Sequence, residues 1–230
     1  MSRRSAVVVV GDALLDRDVL GTVERLSPDA PVPVVDQERV SSRPGGAGLA
    51  AALAASDRQP VTLVTALGPD AAGAELCALL AAHGVEVVDL GLDGATPEKL
   101  RIGVPGRPLV RLDRGSEASA VGEPDAAARA AMGWAAGVLV SDYGRGVAAS
   151  AGVREALAAA GGPIVWDPHP RGPEPVAGVA LVTPNLAEAR GMGLGDGAQR
   201  SPGGLAHALA AHWSAGAVCV TCGPRGAVLA

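Results

Sequence analysis

Short Val-rich runs alternate along the chain with longer Ala-rich runs, and Gly, Pro or Asp separates most of them. Near-continuous β-branched runs of four or five residues are typical of strands buried on both faces, and the longer runs predict helices. The predicted strands are Ala6–Val10, Val61–Thr65, Val85–Val88, Gly137–Ser141, Pro163–Trp166, Val179–Val182 and Ala217–Val220. The predicted helices are Gly46–Ser56, Asp70–Ala82, Pro124–Ala135, Ala148–Ala160, Asn185–Arg190 and Gly203–Trp213. Strands alternating with helices predict an α/β fold with a mainly parallel sheet.

Two stretches, about 18–40 and 99–113, interrupt this alternation. Both contain turn residues and alternate polar with apolar positions, which predicts extended structure and no helix. The simplest arrangement is a small antiparallel β-flap, built from both stretches, that lies as a lid over the mouth of the α/β domain. Lids of this kind exclude water from a reaction. Residues 90–97 are expected to form a loop.

Composition narrows the class of protein. The chain has 230 residues, of which 48% are hydrophobic, and this suits one globular domain over 1–230. The net charge of −5 and the absence of a basic block argue against nucleic acid as a partner. No apolar run is long enough to span a bilayer, so no membrane partner is expected. The low, odd count of three Cys indicates a reducing, cytoplasmic location.

Acidic side chains follow several predicted strands. Asp12 and Asp16 follow the first strand, and Asp142 and Asp167 follow two later ones. Because a parallel sheet places ligands at the carboxyl ends of its strands, these residues form a candidate site, with Asp12, Asp16 and Asp142 as substrate contacts. Taken singly, each Asp could instead cap a helix or a turn.

Two motifs at predicted helix starts have a functional and a structural interpretation. Gly45 and Gly46 would let the backbone approach a ligand and would aim amide donors at it, or they are only a flexible helix entry. Asn185 and Glu188 lie three residues apart and therefore on one helical face. Their oxygens could hold a hydrated Mg²⁺ near phosphates, or the two residues form a capping box.

Seven stretches in order carry a resemblance to a known family. They are "VVVVGDALLDRDVLGTVERLSPDAPVPVV", "RPGGAGLAAALA", "EKLRIGVPGRPLVRLDRG", "VSDYGRG", "VWDPHPRG", "LVTPNLAEA" and "VTCGPRGAVL". The whole chain resembles the PfkB, or ribokinase-like, carbohydrate kinases. Within that family it is most similar to the heptose branch, which includes the kinase domain of bifunctional heptose-7-phosphate kinase/heptose-1-phosphate adenylyltransferases.

This resemblance implies a ribokinase-like, three-layer α/β/α fold with a β-flap lid that also serves for homodimerisation. It implies transfer of the γ-phosphoryl group of ATP, with Mg²⁺, to O1 of a heptose 7-phosphate. Asp16 and the Gly45–Gly46 turn would contact the sugar, and lid cations would hold the anionic sugar phosphate, which cationic side chains favour. The lid cations are Lys99, Arg101 and Arg111. The residues matched to the nucleotide are Asn185, Leu186, Ala187, Glu188, Thr221, Gly223 and Gly226, with Glu188 also matched to the metal.

Two departures from the family pattern affect the expected activity. Leu49 stands where the family has an Asn that reads sugar hydroxyls, and Leu can neither donate nor accept a hydrogen bond. The family's Gly-Ala-Gly-Asp motif, which holds the catalytic base and an anion hole, does not follow the last predicted strand. The resemblance therefore places the base beyond Ala230, and no residue of the chain is assigned as catalytic. We expect the chain to be a fragment or remnant of a kinase domain with little or no kinase activity.

Two other functions compete with the kinase. One is a non-catalytic protein that binds a sugar phosphate or a nucleotide, which the missing base and Leu49 favour. The other is a nucleotide-binding oxidoreductase, which the sequence argues against because no dinucleotide-binding fingerprint follows any predicted strand.

Overall fold

The structure is a computed structural model that describes residues 6–115, 119–192 and 201–230. The strands in chain order are β1 (Val7–Gly11), β2 (Ala13–Leu26), β3 (Pro33–Gly46), β4 (Val61–Thr65), β5 (Val85–Asp89), β6 (Leu92–Asp93), β7 (Glu98–Val104), β8 (Arg107–Arg114), β9 (Ala120–Val121), β10 (Gly137–Ser141), β11 (Ile164–Asp167), β12 (Leu181–Val182), β13 (Cys219–Thr221) and β14 (Ala227–Leu229). The helices are α1 (Ala47–Ser56), α2 (Ala71–Ala82), α3 (Ala126–Trp134), α4 (Ala151–Ala158), α5 (Leu186–Gly191) and α6 (Pro202–Trp213). Every strand and helix predicted from the sequence is found, with ends shifted by no more than three residues.

The described residues form a central sheet of six strands in the order β12-β11-β10-β1-β4-β5. All its neighbours pair in parallel, and helices cover both faces. The packing of β1 explains why its Val run is continuous. Val9 packs in one core cluster with residues of α1 and α2, and Val8 and Val10 pack in the other with residues of α3, α4 and α6. The predicted α/β/α architecture is therefore confirmed.

The last described residues form a hairpin of β13 and β14, which pair antiparallel. The turn between them is a short 3-10 segment, Gly223–Arg225. Isolated parallel bridges, Val182 with Val218 and Asn185 with Thr221, connect the hairpin to the central sheet beside β12. The hairpin therefore continues the edge of the sheet at which α5 begins.

The lid is a separate four-stranded sheet in the order β3-β2-β7-β8. Its outer pairs, β2 with β3 and β7 with β8, are antiparallel, but the central pair of β2 with β7 is parallel. The prediction of a purely antiparallel flap is wrong at this pair. Both β2 and β7 lead outward from the core and both β3 and β8 return, so the two outgoing strands run side by side in the same direction.

The lid strands also reach further towards the core than the expected 18–40 and 99–113. Only Asp12 separates β1 from β2, and β3 ends at Gly46, immediately before α1. Residues 90–97 are not a loop throughout, because β6 pairs with β9 there. The lid is therefore a direct extension of the central strands.

No helix in the described ranges is both long enough and apolar enough to cross a membrane.

Arg17 joins the base of the lid to the core. Its guanidinium lies 2.9 Å from Glu75 Oε2 on α2 and 3.0 Å from Glu98 Oε2 on β7. A third contact, 3.0 Å, runs from Arg17 Nη1 to Ser42 Oγ on β3. The side chain of Glu98 is only 12% exposed, so Arg17 compensates a largely buried carboxylate.

We expect Arg17→Met to lower the free energy of unfolding by about 1–3 kcal/mol, because it leaves the carboxylate of Glu98 with only a longer contact of 3.8 Å to Arg114. Urea unfolding checks this. The matched control is Arg129→Met, which removes the exposed pair with Glu155 between α3 and α4 and should cost about 0–1 kcal/mol. Equal losses in the two variants would contradict the anchoring role of Arg17.

Candidate active site

Asp12 organises the carboxyl edge of the central sheet. It is 3% exposed, and its Oδ2 accepts hydrogen bonds from the backbone N–H groups of Tyr143 and Arg145, both at 3.0 Å. Its Oδ1 accepts from the N–H of Val147 at 3.0 Å. Its own carbonyl accepts from the N–H of Ala47 at the start of α1. The predicted substrate contact therefore lies at the site, with both carboxylate oxygens already engaged by the loop after β10.

Asp16 lies beside the glycine pair at the point where the lid leaves the core. It is 8% exposed, and its Oδ1 lies 2.5 Å from Arg101 Nη1. A Cβ on Gly45 would lie 2.6 Å from Asp16 Oδ2, and Gly46 has φ +59°. Larger residues are therefore excluded at both positions. Gly45 packs directly against the Asp16 carboxylate, and Gly46 packs against the Asp12 carbonyl. The structure brings Asp16 and the glycine pair together, as predicted.

One face of the lid is charged. Two cross-strand rows on that face run Arg43–Asp16–Lys99–Asp113 and Ser41–Asp18–Arg101–Arg111 across the four strands. Arg101 and Arg111 lie directly opposite one another, and each is paired with a carboxylate, Arg101 with Asp16 and Arg111 with Asp113. The ammonium of Lys99 lies 5.6 Å from the centroid of the Tyr143 ring. All three predicted lid cations thus share the charged face.

Asp142 is a buried carboxylate with an unusual environment. It is 4% exposed, its Oδ1 accepts from the N–H of Gly144 at 2.7 Å, and in the described residues no hydrogen-bond partner reaches its buried Oδ2. Burial, together with the nearby carboxylates of Asp12 and Asp167, raises the pKa of Asp142 to about 6. The predicted contact is thus enclosed by the loops after β10 and β11, with its Oδ2 packed against Gly172.

The loops after β10 and β11 interlock through two glycines. A Cβ on Gly172 would collide with the Asp142 carboxylate, and a Cβ on Gly144 would lie 2.6 Å from His169 Nδ1. That same Nδ1 lies 3.1 Å from the backbone N–H of Arg171 and accepts its hydrogen bond, which leaves Nε2 as the position of the proton in the neutral ring. Each loop therefore accommodates a polar side chain of the other.

The predicted nucleotide residues lie at the other end of the same edge. Asn185 caps α5 by accepting from the N–H groups of Ala187 and Glu188, and Glu188 Oε2 accepts from the N–H of Asn185 at 2.8 Å. The capping box that competed with the magnesium interpretation is therefore present. Thr221, whose N–H donates to the Pro184 carbonyl, brings the hairpin turn alongside. The predicted residues on that turn, Thr221, Gly223 and Gly226, are exposed.

Ala230 follows β14 at the same end of the sheet. Its N–H donates to the carbonyl of Val218 at 3.0 Å, and its own carbonyl accepts from the N–H of Val218 at 2.8 Å. These two hydrogen bonds extend the hairpin ladder by one residue pair beyond Cys219 and Leu229. The catalytic base expected beyond Ala230 stays a prediction, and none of the site residues described above is assigned that role.

The side chains of the site determine whether the chain alone could bind a divalent cation. Within the described ranges, no group of three or more His, Cys, Asp or Glu side chains could hold a metal ion. Mg²⁺ is usually bound by one or two carboxylates together with substrate phosphates, so Glu188 fits such a shared site but not a cage made of protein alone. The carboxylate of Glu188 is close enough to that of Asp167 to raise the pKa of Asp167, although burial is the larger cause.

A family model, pfkB family carbohydrate kinase, matches residues 4–230. The chain belongs to the pfkB family of carbohydrate kinases.

Curated relatives point to one branch of the pfkB family. The chain is 52% identical to the bifunctional protein HldE of Streptomyces coelicolor, over 98% of this chain and 48% of that protein. It is 39% identical to the D-beta-D-heptose 7-phosphate kinase of Bordetella bronchiseptica, over 81% of this chain and 61% of that protein. The chain therefore spans about half the length of the HldE protein that it matches.

Solved structures show the same fold. The Arabidopsis thaliana ribokinase complexed with ribose and ATP superposes with a TM-score of 0.67 at 18% identity, over 98% of this chain and 74% of that one. The tetrameric inhibited form of phosphofructokinase-2 from Escherichia coli superposes with a TM-score of 0.66 at 17% identity, over 99% of this chain and 76% of that one. The predicted ribokinase-like fold is confirmed.

Three residues at the site of this pfkB-family chain were not singled out by the sequence patterns. Tyr143 lies under the lid, next to the loop amides that Asp12 holds. Thr183 donates its hydroxyl to Asp167 Oδ1 at 3.2 Å, which orients that carboxylate. His169 lies against Gly144. Composition held one unused signal, because Tyr143 is the only Tyr in the chain.

The raised pKa of Asp142 predicts a pH-dependent stability. Between about pH 4 and pH 6 the folded state binds more protons than the unfolded state, so the contribution of Asp142 becomes less favourable as pH rises through that window. We expect Asp142→Asn to remove this effect, so that the variant gains up to about 3 kcal/mol relative to the wild type between pH 4 and pH 7.

Urea unfolding at several pH values measures that difference. A stability difference between the two proteins that stays constant from pH 4 to pH 7 would show that the carboxyl of Asp142 has an ordinary pKa.

Proposed function

We propose that this chain forms the substrate-binding part of an ATP-dependent sugar kinase that phosphorylates heptose 7-phosphate at O1. The observation that carries the proposal is the charged lid face, which places Lys99 and Arg101 next to the Asp16 carboxylate, with Arg111 on the strand beyond, at the carboxyl edge of the central sheet. An acceptor for sugar hydroxyls beside cations for a phosphate group suits a phosphorylated sugar. The relative named as a heptose 7-phosphate kinase supports the same substrate class.

In this proposal the sugar lies over Asp16 and the adjoining glycine pair. Asp16 accepts hydrogen bonds from sugar hydroxyls, and the closely approaching backbone at Gly45 and Gly46 forms the wall of the site. Arg101, now on Asp16 Oδ1, exchanges part of that contact for the anionic group of the sugar phosphate. Asp142, at the same edge of the sheet, is a further candidate acceptor for a sugar hydroxyl. Asp12 supports the site by holding the loop after β10.

ATP occupies the other end of the edge in this proposal, along α5 and the hairpin turn. Glu188 would hold Mg²⁺, which when bound would neutralise charge on the ATP phosphates. The exposed Thr221, Gly223 and Gly226 would border the nucleotide. The contribution of this chain is to hold both substrates in line and, through the lid, to exclude water.

We also propose that these 230 residues, tested alone, bind substrate without transferring the phosphoryl group. The residues up to Ala230 contain no Gly-Ala-Gly-Asp segment, so the resemblance supplies neither a base nor an anion hole. The second candidate function is a binding protein without catalysis. Supplying a Gly-Ala-Gly-Asp segment would give phosphoryl transfer if the chain is part of a kinase, and binding alone if it is a non-catalytic binding protein. Leu49, 41% exposed on the first turn of α1, removes one hydroxyl contact in either case.

The test is calorimetric titration of the 230-residue chain with heptose 7-phosphate. We expect saturable binding, and we expect Asp16→Asn to weaken it about 10- to 100-fold, because hydrogen bonds to an ionised acceptor contribute about 1.5–3 kcal/mol. Asp57→Asn, at the far end of α1 from the glycine pair, is the control and should bind as the wild type does.

Phosphorus NMR of the same protein with ATP and Mg²⁺ reports on transfer. No binding of heptose 7-phosphate by the wild-type chain would refute the proposed substrate. Appearance of a sugar 1,7-bisphosphate would refute the proposal that the chain transfers nothing by itself.

We further propose that the chain forms a homodimer through the other face of the lid. An apolar row, Val40–Val19–Ile102–Val110, crosses all four lid strands on that face. Val40 is 43% and Val110 53% exposed, and Leu112 in the adjacent row is 44% exposed. The other face of the lid is charged, but this apolar strip can be buried against the same strip of a second copy.

Sedimentation velocity tests the dimer. We expect Val110→Glu to shift the protein towards the monomer, because dimerisation would bury an uncompensated charge. Trp134→Glu is the matched control, since Trp134 is 55% exposed on α3 and lies outside the lid. A wild-type monomer at all concentrations, or a dimer that survives Val110→Glu, would overturn this assignment.

A further inference from the structure

The chain uses Arg for 18 of its 19 Lys and Arg residues, and its single Lys lies against its single Tyr. The Nζ of Lys99, on lid strand β7, is 5.6 Å from the ring centroid of Tyr143, on the loop after β10. This distance is within the range of a cation–π interaction, for which Arg is the more frequent partner. The contact also links the lid to the core across the candidate sugar site.

Lys99 differs from the other cations of the charged lid face in having no carboxylate partner. Its cross-strand neighbours are Asp16 and Asp113. Asp16 is paired with Arg101 at 2.5 Å, and Asp113 is paired with Arg111 at 3.0 Å. Throughout the described ranges, no carboxylate oxygen lies within 4.0 Å of Lys99 Nζ. The aromatic face is therefore the contact that fixes the ammonium.

Tyr143 is itself held firmly from the core side. Its backbone N–H donates to Asp12 Oδ2 at 3.0 Å, so the loop fixes the start of the side chain. Burial, and after it the carboxylates of Asp167, Asp16 and Glu188, raise the pKa of the phenol, which stays neutral. The ring thus gives the lysine an uncharged, electron-rich surface within an acidic neighbourhood.

We propose that Tyr143 is a positioning residue whose ring holds the Lys99 ammonium over the carboxyl edge of the sheet, unpaired and ready for the anionic group of the substrate. An ion pair with Asp16 or Asp113 would have to be broken before Lys99 could bind a phosphate oxygen, whereas a neutral ring leaves the positive charge available. Lys is suited to this task because its ammonium is a compact point charge with three donors. This inference rests on the proposed function for the identity of the ligand, but not for the contact itself.

The single lysine makes the contact directly measurable. Reductive methylation with ¹³C-formaldehyde labels Lys99 and the terminal amine only, and peptide mapping assigns the two signals. Nuclei above an aromatic face resonate upfield, so we expect an upfield Lys99 signal in the wild type. The signal should persist in Tyr143→Phe, which keeps the ring, and return to the free-lysine position in Tyr143→Leu. Tyr143→Met replaces the Leu variant if that protein does not fold.

Binding by the unmodified proteins then tests the positioning role. We expect Tyr143→Leu to bind heptose 7-phosphate about two- to fivefold more weakly than the wild type, and Tyr143→Phe to bind equally well. Arg107→Leu, at the exposed tip of the lid, is the control and should leave affinity unchanged. Thermal unfolding of each variant separates this effect from a loss of fold.

The outcomes separate the inference from the proposed function. A Lys99 signal that is the same in wild type and Tyr143→Leu, or an affinity unaffected by Tyr143→Leu, would overturn the role of Tyr143. If the wild type binds no heptose 7-phosphate, the proposed substrate fails. Inorganic phosphate then serves as the anionic probe, and a Lys99 response to it that weakens in Tyr143→Leu but not in Tyr143→Phe supports the inference, while equal responses overturn it.

Discussion

Three backbone amides of the loop after β10 donate to the carboxylate of Asp12, and the geometry of the site depends on this interaction. The residue lies between β1 and β2, so one side chain sets the loop that carries Asp142 and Tyr143 against the strand that carries Asp16. The three N–H groups satisfy the hydrogen-bonding capacity of this buried carboxylate. The three amides and the Asp12 carboxylate therefore fix the loop after β10 at the point where the central sheet meets the lid.

Because side chains alternate between the two faces of a sheet, the lid can present a different surface on each face. Towards the core it presents charged rows in which most cations are neutralised by carboxylates, and Lys99 is the exception. On its other face it presents an apolar strip that includes Val40 and Val110. A shift of one residue in the pairing of β2 with β7 would exchange these faces, so recognition of an anion and association with a second copy depend on the same register.

The central sheet was predictable because its signal is local. Runs such as Val7–Val10 and the Ala-rich stretches between them specify buried strands and covering helices without reference to distant residues. The parallel pairing of β2 with β7 was not predictable, because it depends on where the chain returns after α1, β4, α2 and β5. The same holds within the site, where Asp16 and the glycine pair followed from motifs, but the three amides on Asp12 come from residues more than 130 positions away. Tyr143 lies in the matched stretch "VSDYGRG", but nothing in that stretch predicts its contact with Lys99.

The parallel pairing in the lid has a consequence for the order of folding. Strand β2 is made early, and β3 can pair with it at once, but the other edge of β2 stays open until β7 has been synthesised. Arg17 and Glu98, which join across that edge, are 81 residues apart in sequence. Contacts of such long range form slowly, since the loop between them must first be closed. Completion of the lid therefore has to wait for β7, and until then the edge of β2 that β7 covers is open to pairing with another chain.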